Sequence, residues 1–152
     1  MECARALKAI TARAGTFGLK PAILENKVVY VDMNDCPAQL DILAHVDVVP
    51  AGDGWSVTEP FVPLLRDGKL YGRGTCDDKG PAVAALYAMR AVRELNISLK
   101  YNVRLILGAD EETGCRDTDC YYSHFKEAPC SYSPDGEYPV INLEKGGLGC
   151  YE

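Results

Sequence analysis

Long hydrophobic runs are missing from this chain, and so is any excess of basic charge. The apolar stretches are short and interrupted, and none reaches the roughly 20 residues that a membrane-crossing helix needs. Sixteen Lys and Arg stand against twenty-two Asp and Glu, a net charge of −6. That balance excludes the basic face with which nucleic-acid binders neutralise phosphates. The opening residues, Met1-Glu2-Cys3-Ala4-Arg5, lack the apolar stretch of a secretion signal. Histidine is scarce, with only His45 and His124. The seven cysteines are irregularly spaced and include no Cys-x-x-Cys, which argues against a structural zinc knuckle. An odd count with no secretion signal points to reduced thiols and a cytoplasmic protein.

What is present is an ordinary globular composition. The 152 residues are 47% hydrophobic and 25% charged, enough for one domain with a real core. Ala4, Leu7, Ile10 and Ala14 recur at helical spacing, and Gly15 and Gly18 stop the pattern. Lys27 to Val31 is β-branched and predicts a strand. Gln39 to Ala44 is a second apolar run, expected to be a strand covered on both faces. Asp67-Gly68 predicts a hairpin turn between Val62–Leu65 and Lys69–Tyr71. Ala82 to Leu95 is rich in Ala and Leu and predicts a helix with Pro81 in its first turn. Further strands are expected at Asn102 to Gly108 and Val140 to Leu143. A short helix is expected over 117–126, with Asp117 or Thr118 as its cap. Alternating strands and helices are α/β order.

The acidic clusters fall just after strands. In open α/β sheets, sites gather beyond the carboxyl ends of the strands. That places His45, Asp47, Glu111 and Glu112 along one sheet edge, with Asp77, Asp78 and Asp135 in nearby loops. Carboxylates brought so close would raise each other's pKa unless cations held them. Mixed His and carboxylate donors suit zinc, with manganese or cobalt as substitutes. A carboxylate can bridge two ions, and an extra one can act as general base. Each piece alone has a plainer reading. His45-Val46-Asp47 can be a polar strand end, Asp78-Lys79 a helix-end acid and a solvated charge, and Glu111-Glu112 a solvated turn. Trp55 reads as loop packing, and His124 and the cysteines as structural or surface residues. Cys76 reads as a packing residue, although a thiol beside Asp77 would be open to metal or oxidation.

Four ordered motifs carry a resemblance. They are His45-Val-Asp47; Gly72-Arg-Gly-Thr-Cys-Asp77-Asp78-Lys79-Gly80; Asp110-Glu111-Glu112-Thr-Gly114; and Ser133-Pro-Asp135-Gly-Glu-Tyr-Pro139. Together they resemble the M20 family of di-zinc metallopeptidases. The stretches 48–55 and 135–142 are most similar to its peptidase V and Xaa-His dipeptidase branch. The resemblance covers roughly residues 20–150. It implies an α/β, three-layer catalytic domain with a central mixed β-sheet flanked by helices. It implies two zinc ions, a small peptide substrate and hydrolysis of a dipeptide amide bond. In that scheme His45 and Asp135 bind one ion, Asp77 bridges, Glu112 binds the second, and Glu111 is the catalytic base. Asp47, the other catalytic residue, orients His45, and the Asp77-Asp78 peptide is cis.

Members of the family carry a lid domain and a late histidine that this sequence does not contain. The expectation is therefore of a single partial catalytic domain over 1–152, the N-terminal half of such an enzyme. Impaired activity and self-association through exposed strand edges would follow. Two alternatives stand beside the dipeptidase reading: a non-catalytic metal-binding remnant or interaction module, and an aminoacylase or deacylase of the same family.

Overall fold

The computed structural model describes residues 2–135. The strand expected at 140–143 lies outside the described residues. Helix α1 (Glu2–Thr16) leads into a five-stranded sheet. Its strands are β1 (Lys20–Leu24), β2 (Val28–Asp32), β3 (Ala38–His45), β6 (Asn102–Gly108) and β7 (Cys130–Tyr132). Between β3 and β6 come a two-stranded hairpin, β4 (Leu64–Arg66) with β5 (Lys69–Tyr71), and helix α2 (Lys79–Glu94). Helix α3 (Arg116–His124) connects β6 to β7.

The sheet order is β1-β2-β6-β3-β7. The β1–β2 and β2–β6 pairs are antiparallel, and the β6–β3 and β3–β7 pairs are parallel. The sheet is therefore mixed, and helices cover it on both faces. Val29 and Val31 of β2 and Leu105 and Leu107 of β6 turn to one face. There they meet Leu7, Ile10 and Ala14 of α1, and Ala82, Leu86 and Met89 of α2. Those helical residues recur three or four positions apart, so each helix buries a single stripe. The alternate residues Val28 and Ile106 turn to the other face and meet Tyr121 of α3. This is the three-layer α/β arrangement with a central mixed sheet that the resemblance implies.

Several local expectations are corrected. Strands β1 and β7 were not legible in the sequence. β1 contains Pro21 and pairs on one side only, a position that tolerates proline because the ladder needs no donor there. β7 has three residues, all exposed, and holds its place through pairing with Leu40, Asp41 and Ile42. β3 is covered on both faces but incompletely: Ile42 and Ala44 pack on the α1 and α2 side and Leu43 on the α3 side, all half-buried, while Asp41 and His45 are its buried residues. Helix α3 starts one residue earlier than expected and is preceded by Cys115 in the left-handed region, φ 54°. Asp117 does not cap it, because its carboxylate is committed elsewhere. Asp67 and Gly68 adopt φ of 53° and 72°, the pair of positive values that a tight hairpin turn requires.

Candidate metal centre

β6, β3 and β7 run side by side in the same direction, so their carboxyl ends form one edge of the sheet. His45 is the last residue of β3 and pairs with Gly108, the last of β6. The chain that leaves β6 makes the turn Glu111–Thr113, and the chain that leaves β7 reaches Asp135. The loop into α2 delivers Asp77 and Asp78 to the same edge. That approach depends on Gly80, because a Cβ there would collide with the backbone carbonyl of Thr75. The Asp77-Asp78 peptide is cis, as the resemblance implied.

His45 is buried, with 3% of its side chain exposed. Its Nδ1 lies 3.2 Å from Asp47 Oδ1. The same Asp47 carboxylate accepts the backbone N–H groups of Glu111 (3.3 Å) and Glu112 (3.1 Å). One carboxylate thus orients the imidazole and anchors the Glu111-Glu112 turn. In the neutral form that donates Nδ1–H to Asp47, Nε2 carries the lone pair. Nε2 is buried and has no hydrogen-bond partner. Around it stand Asp77 Oδ1 at 2.9 Å, Asp135 Oδ2 at 3.5 Å and Glu111 Oε2 at 4.0 Å.

These separations suit ligands of a common ion. Two donors at about 2.0–2.1 Å from a tetrahedral zinc are about 3.3 Å apart. Two overlapping groups have donor atoms within 4.8 Å of one another: His45 with Asp77 and Asp135, and His45 with Glu111 and Glu112. The expected pairing of Glu112 with Asp77 is not among these groups. Glu112 Oε1 instead accepts the N–H of Val49 at 3.2 Å.

Charge at the site points the same way. Burial opposes protonation of His45, but the Asp47 bond and the nearby Asp47, Glu111 and Asp78 charges outweigh it and push the imidazole up to about 9. Burial raises Glu111, against the pull of His45 and with help from Glu112 and Asp135. Asp47 is lowered: burial resists ionisation, but its bonds to His45 and to the Glu112 N–H prevail. The edge is a pocket of negative potential in want of a cation.

Two carboxylates take backbone partners that the sequence does not assign to them. Asp78 reads there as a helix-end acid but is fully buried, and its Oδ2 accepts the backbone N–H of His45 at 3.0 Å. Burial pushes its carboxyl up to about 6, against that hydrogen bond. Asp117 reads as a helix cap, yet its Oδ2 receives the N–H groups of Ala109 and Asp110 and so pins the start of the acidic turn. Gly108 makes room for it, since a Cβ there would strike that carboxylate. A glycine at the strand end just before an acidic turn was the available signal. Asp110 stands outside the site, paired with Arg116 at 2.6 Å. Trp55 packs, as read: its Nε1 donates to Ala51 O at 2.8 Å and Arg73 lies over its ring. Cys76 is exposed and does not pack.

The profile of Peptidase family M20/M25/M40 matches residues 42–141. A Bacillus subtilis protein with the provisional name of a dipeptidase is 45% identical over 107 residues, 70% of this chain and 23% of its own. A provisionally named dipeptidase of Staphylococcus saprophyticus is 46% identical over 105 residues, 69% of this chain and 22% of its own. The chain thus spans roughly a quarter of the length of these curated relatives. Human carnosine dipeptidase 1 superposes with a TM-score of 0.76 at 26% identity, over 90% of this chain and 33% of that one. An M20 metallo-carboxypeptidase of Sulfolobus solfataricus shares the fold with a TM-score of 0.74 at 24% identity, over 86% of this chain and 32% of that one. No described helix is long and apolar enough to cross a membrane.

Proposed function

Since the chain belongs to Peptidase family M20/M25/M40, we propose that it carries the metal-binding part of a dipeptidase. Residues 1–152 are read as part of one catalytic domain. The observation that carries the reading is the buried, unpartnered Nε2 of His45, with Asp77 and Asp135 close by. The names of the similar proteins support a peptide substrate.

His45, Asp77 and Asp135 would hold one zinc ion, and Glu112, with Asp77 as the bridge, would hold a second. Bound zinc would supply Lewis-acid polarisation of the peptide carbonyl and a more acidic water. Glu111 takes a proton from the water that attacks the carbonyl carbon. It returns that proton to the amine nitrogen as the C–N bond breaks. A carboxyl group raised by burial and by neighbouring charges is suited to both steps. Asp47 keeps the imidazole in the tautomer that leaves Nε2 as a donor to metal. It also holds the backbone of Glu111, so base and ligand are set by one group.

Zinc titration by calorimetry tests the ligand assignment. One ion is expected to bind tightly at the His45 group and a second more weakly, because Glu112 also accepts the N–H of Val49. Two equally tight sites that both persist in Asp77→Asn would contradict the assignment. Dipeptide hydrolysis that a chelator abolishes and zinc restores is the functional counterpart. Glu111→Ala is expected to lower the rate by about 10²–10⁴ while zinc affinity stays within a few-fold. Undiminished hydrolysis by that variant would remove Glu111 from the mechanism.

A further inference from the structure

One other group of metal-binding side chains comes together among the described residues: Glu25, Cys120 and His124, with donor atoms within 4.8 Å of one another. We propose that Glu25, Cys120 Sγ and His124 Nε2 form a separate site for a thiophilic divalent metal of the zinc and cobalt type. The site does not depend on the His45 centre. β6 stands in the sheet between the β1–β2 hairpin, which supplies Glu25, and β3, which supplies His45.

The fold presents the three donors for reasons unrelated to their chemistry. Cys120 and His124 are four residues apart on α3 and so share a face of that helix. Tyr121, between them, is the residue that anchors α3 to the sheet, which turns their face to the helix flank. Glu25 sits in the β1–β2 turn, where Glu25 and Asn26 have φ of 49° and 57° and Lys27 N donates to Leu24 O at 2.9 Å. That tight turn fixes where the Glu25 side chain starts.

Each donor is already oriented. His124 Nδ1 lies 2.9 Å from the Cys120 backbone carbonyl and 3.0 Å from Ser123 Oγ. A carbonyl can only accept, so Nδ1 carries the proton and Nε2 keeps a free lone pair. Metal-binding imidazoles are commonly fixed in this way, by donating the other ring nitrogen to a backbone carbonyl. Nε2 faces Glu25 Oε1 at 3.9 Å. The other oxygen, Oε2, is held by Lys27 Nζ at 3.1 Å, so the carboxylate is steered without losing the donor atom that faces His124. The Cys120 sulfur stands within 4.8 Å of the donor atoms of both Glu25 and His124. One sulfur, one nitrogen and one oxygen donor leave the fourth position of a tetrahedral ion to water. On binding, the S–H bond of Cys120 breaks, its proton goes to solvent, and a sulfur–metal bond forms.

Co2+ titrated into the metal-free full chain tests this, because a thiolate ligand gives cobalt a charge-transfer absorption that His and carboxylate ligands do not. The expected result is a saturable band that is displaced by Zn2+ and that persists in His45→Ala, since the His45 group takes up Co2+ without a thiolate. Cys120→Ser should abolish it. His124→Ala and Glu25→Gln should each weaken the underlying affinity at least tenfold, and both report on the site even if Cys120→Ser fails to fold. Cys76→Ser, which alters the thiol next to Asp77, should leave the band unchanged. Absence of the band, its survival in Cys120→Ser, or its loss in Cys76→Ser would overturn the proposal.

Discussion

Two polar clusters interrupt the apolar sheet, and they are built on opposite principles. The first surrounds Arg104 in β6. Its Nε and Nη2 donate to Asp32 at 2.6 and 3.0 Å, and its Nη1 donates to the Tyr121 hydroxyl at 2.7 Å. Asn102 donates to Asp32 at 2.5 Å and accepts the N–H groups of Met33 and Asn34. The Arg104 guanidinium also lies over the rings of Tyr30 and Phe125. Positive and negative charge are matched, and the geometry is bidentate. The second cluster surrounds His45. One imidazole faces several carboxylates, and two buried atoms, His45 Nε2 and Asp78 Oδ1, have no hydrogen-bond partner. A closed cluster holds a fold together. An open one with excess negative charge does so at a cost, and the cost is offset when a cation arrives. The contrast separates structure from function with no appeal to a relative.

The sharpest way to break the comparison is to open the closed cluster. Arg104→Ala leaves Asp32 largely buried without its cation and is expected to cost about 3–5 kcal/mol, read as a lowered urea midpoint. A loss under 1 kcal/mol would mean that the cluster is decorative. A smaller effect is expected at the open cluster. Asp47→Asn should weaken zinc binding about 10–100-fold with little change in the unfolding midpoint of the metal-free chain. Equal zinc affinity in this variant would show that His45 needs no orienting partner.

The smallest effect concerns Asp41, whose backbone position in β3 pairs with that of Arg104 but whose Oδ1 has no partner. Burial raises its carboxyl above the ordinary range, against the N–H of Ala128. The folded state therefore holds that proton more tightly than the unfolded chain. Its contribution is complete below the ordinary carboxylate range and is lost as pH rises through the elevated folded value. Asp41→Asn should flatten the stability slope above about pH 4; a slope unchanged by the substitution would place its origin elsewhere.

Much of this was legible in the sequence because motif and element coincide. The apolar runs before His45 and before Glu111 are strands, and strand ends are where an α/β sheet collects its chemistry. Helices α1 and α2 announce themselves by the spacing of Leu7, Ile10 and Ala14 and of Ala82, Leu86 and Met89. β1 and β7 did not, since each is specified by a neighbour rather than by its own residues. Asp78 and Asp117 were misread for a related reason. An acid at a helix start has a local partner in the helix N–H groups, but here Asp78 Oδ2 and Asp117 Oδ2 turn to backbone outside the helix, and only Asp117 Oδ1 stays local, on the N–H of Thr118. Nothing in the local sequence reports that choice. The bond from the Val49 N–H to Glu112 Oε1 is likewise a matter of tertiary placement.

The irregularity in β3 has a consequence far from where it occurs. Ala38 pairs with Asn102 and Leu40 with Val103, so Gln39 is a supernumerary residue in the ladder. From Leu40 onward the strands run in step up to His45 and Gly108. Side chains alternate between faces with a period of two, so Ala38 and Leu40 would share a face in a regular strand. The extra residue lets Leu40 follow Ala38 in the ladder as Val103 follows Asn102 in β6. Loss of Gln39 would therefore leave His45 opposite Gly108, because the bulge absorbs it. An extra residue between Leu40 and His45 has no such buffer: it would hand the imidazole to the opposite face of the sheet and be felt as a lost metal ion.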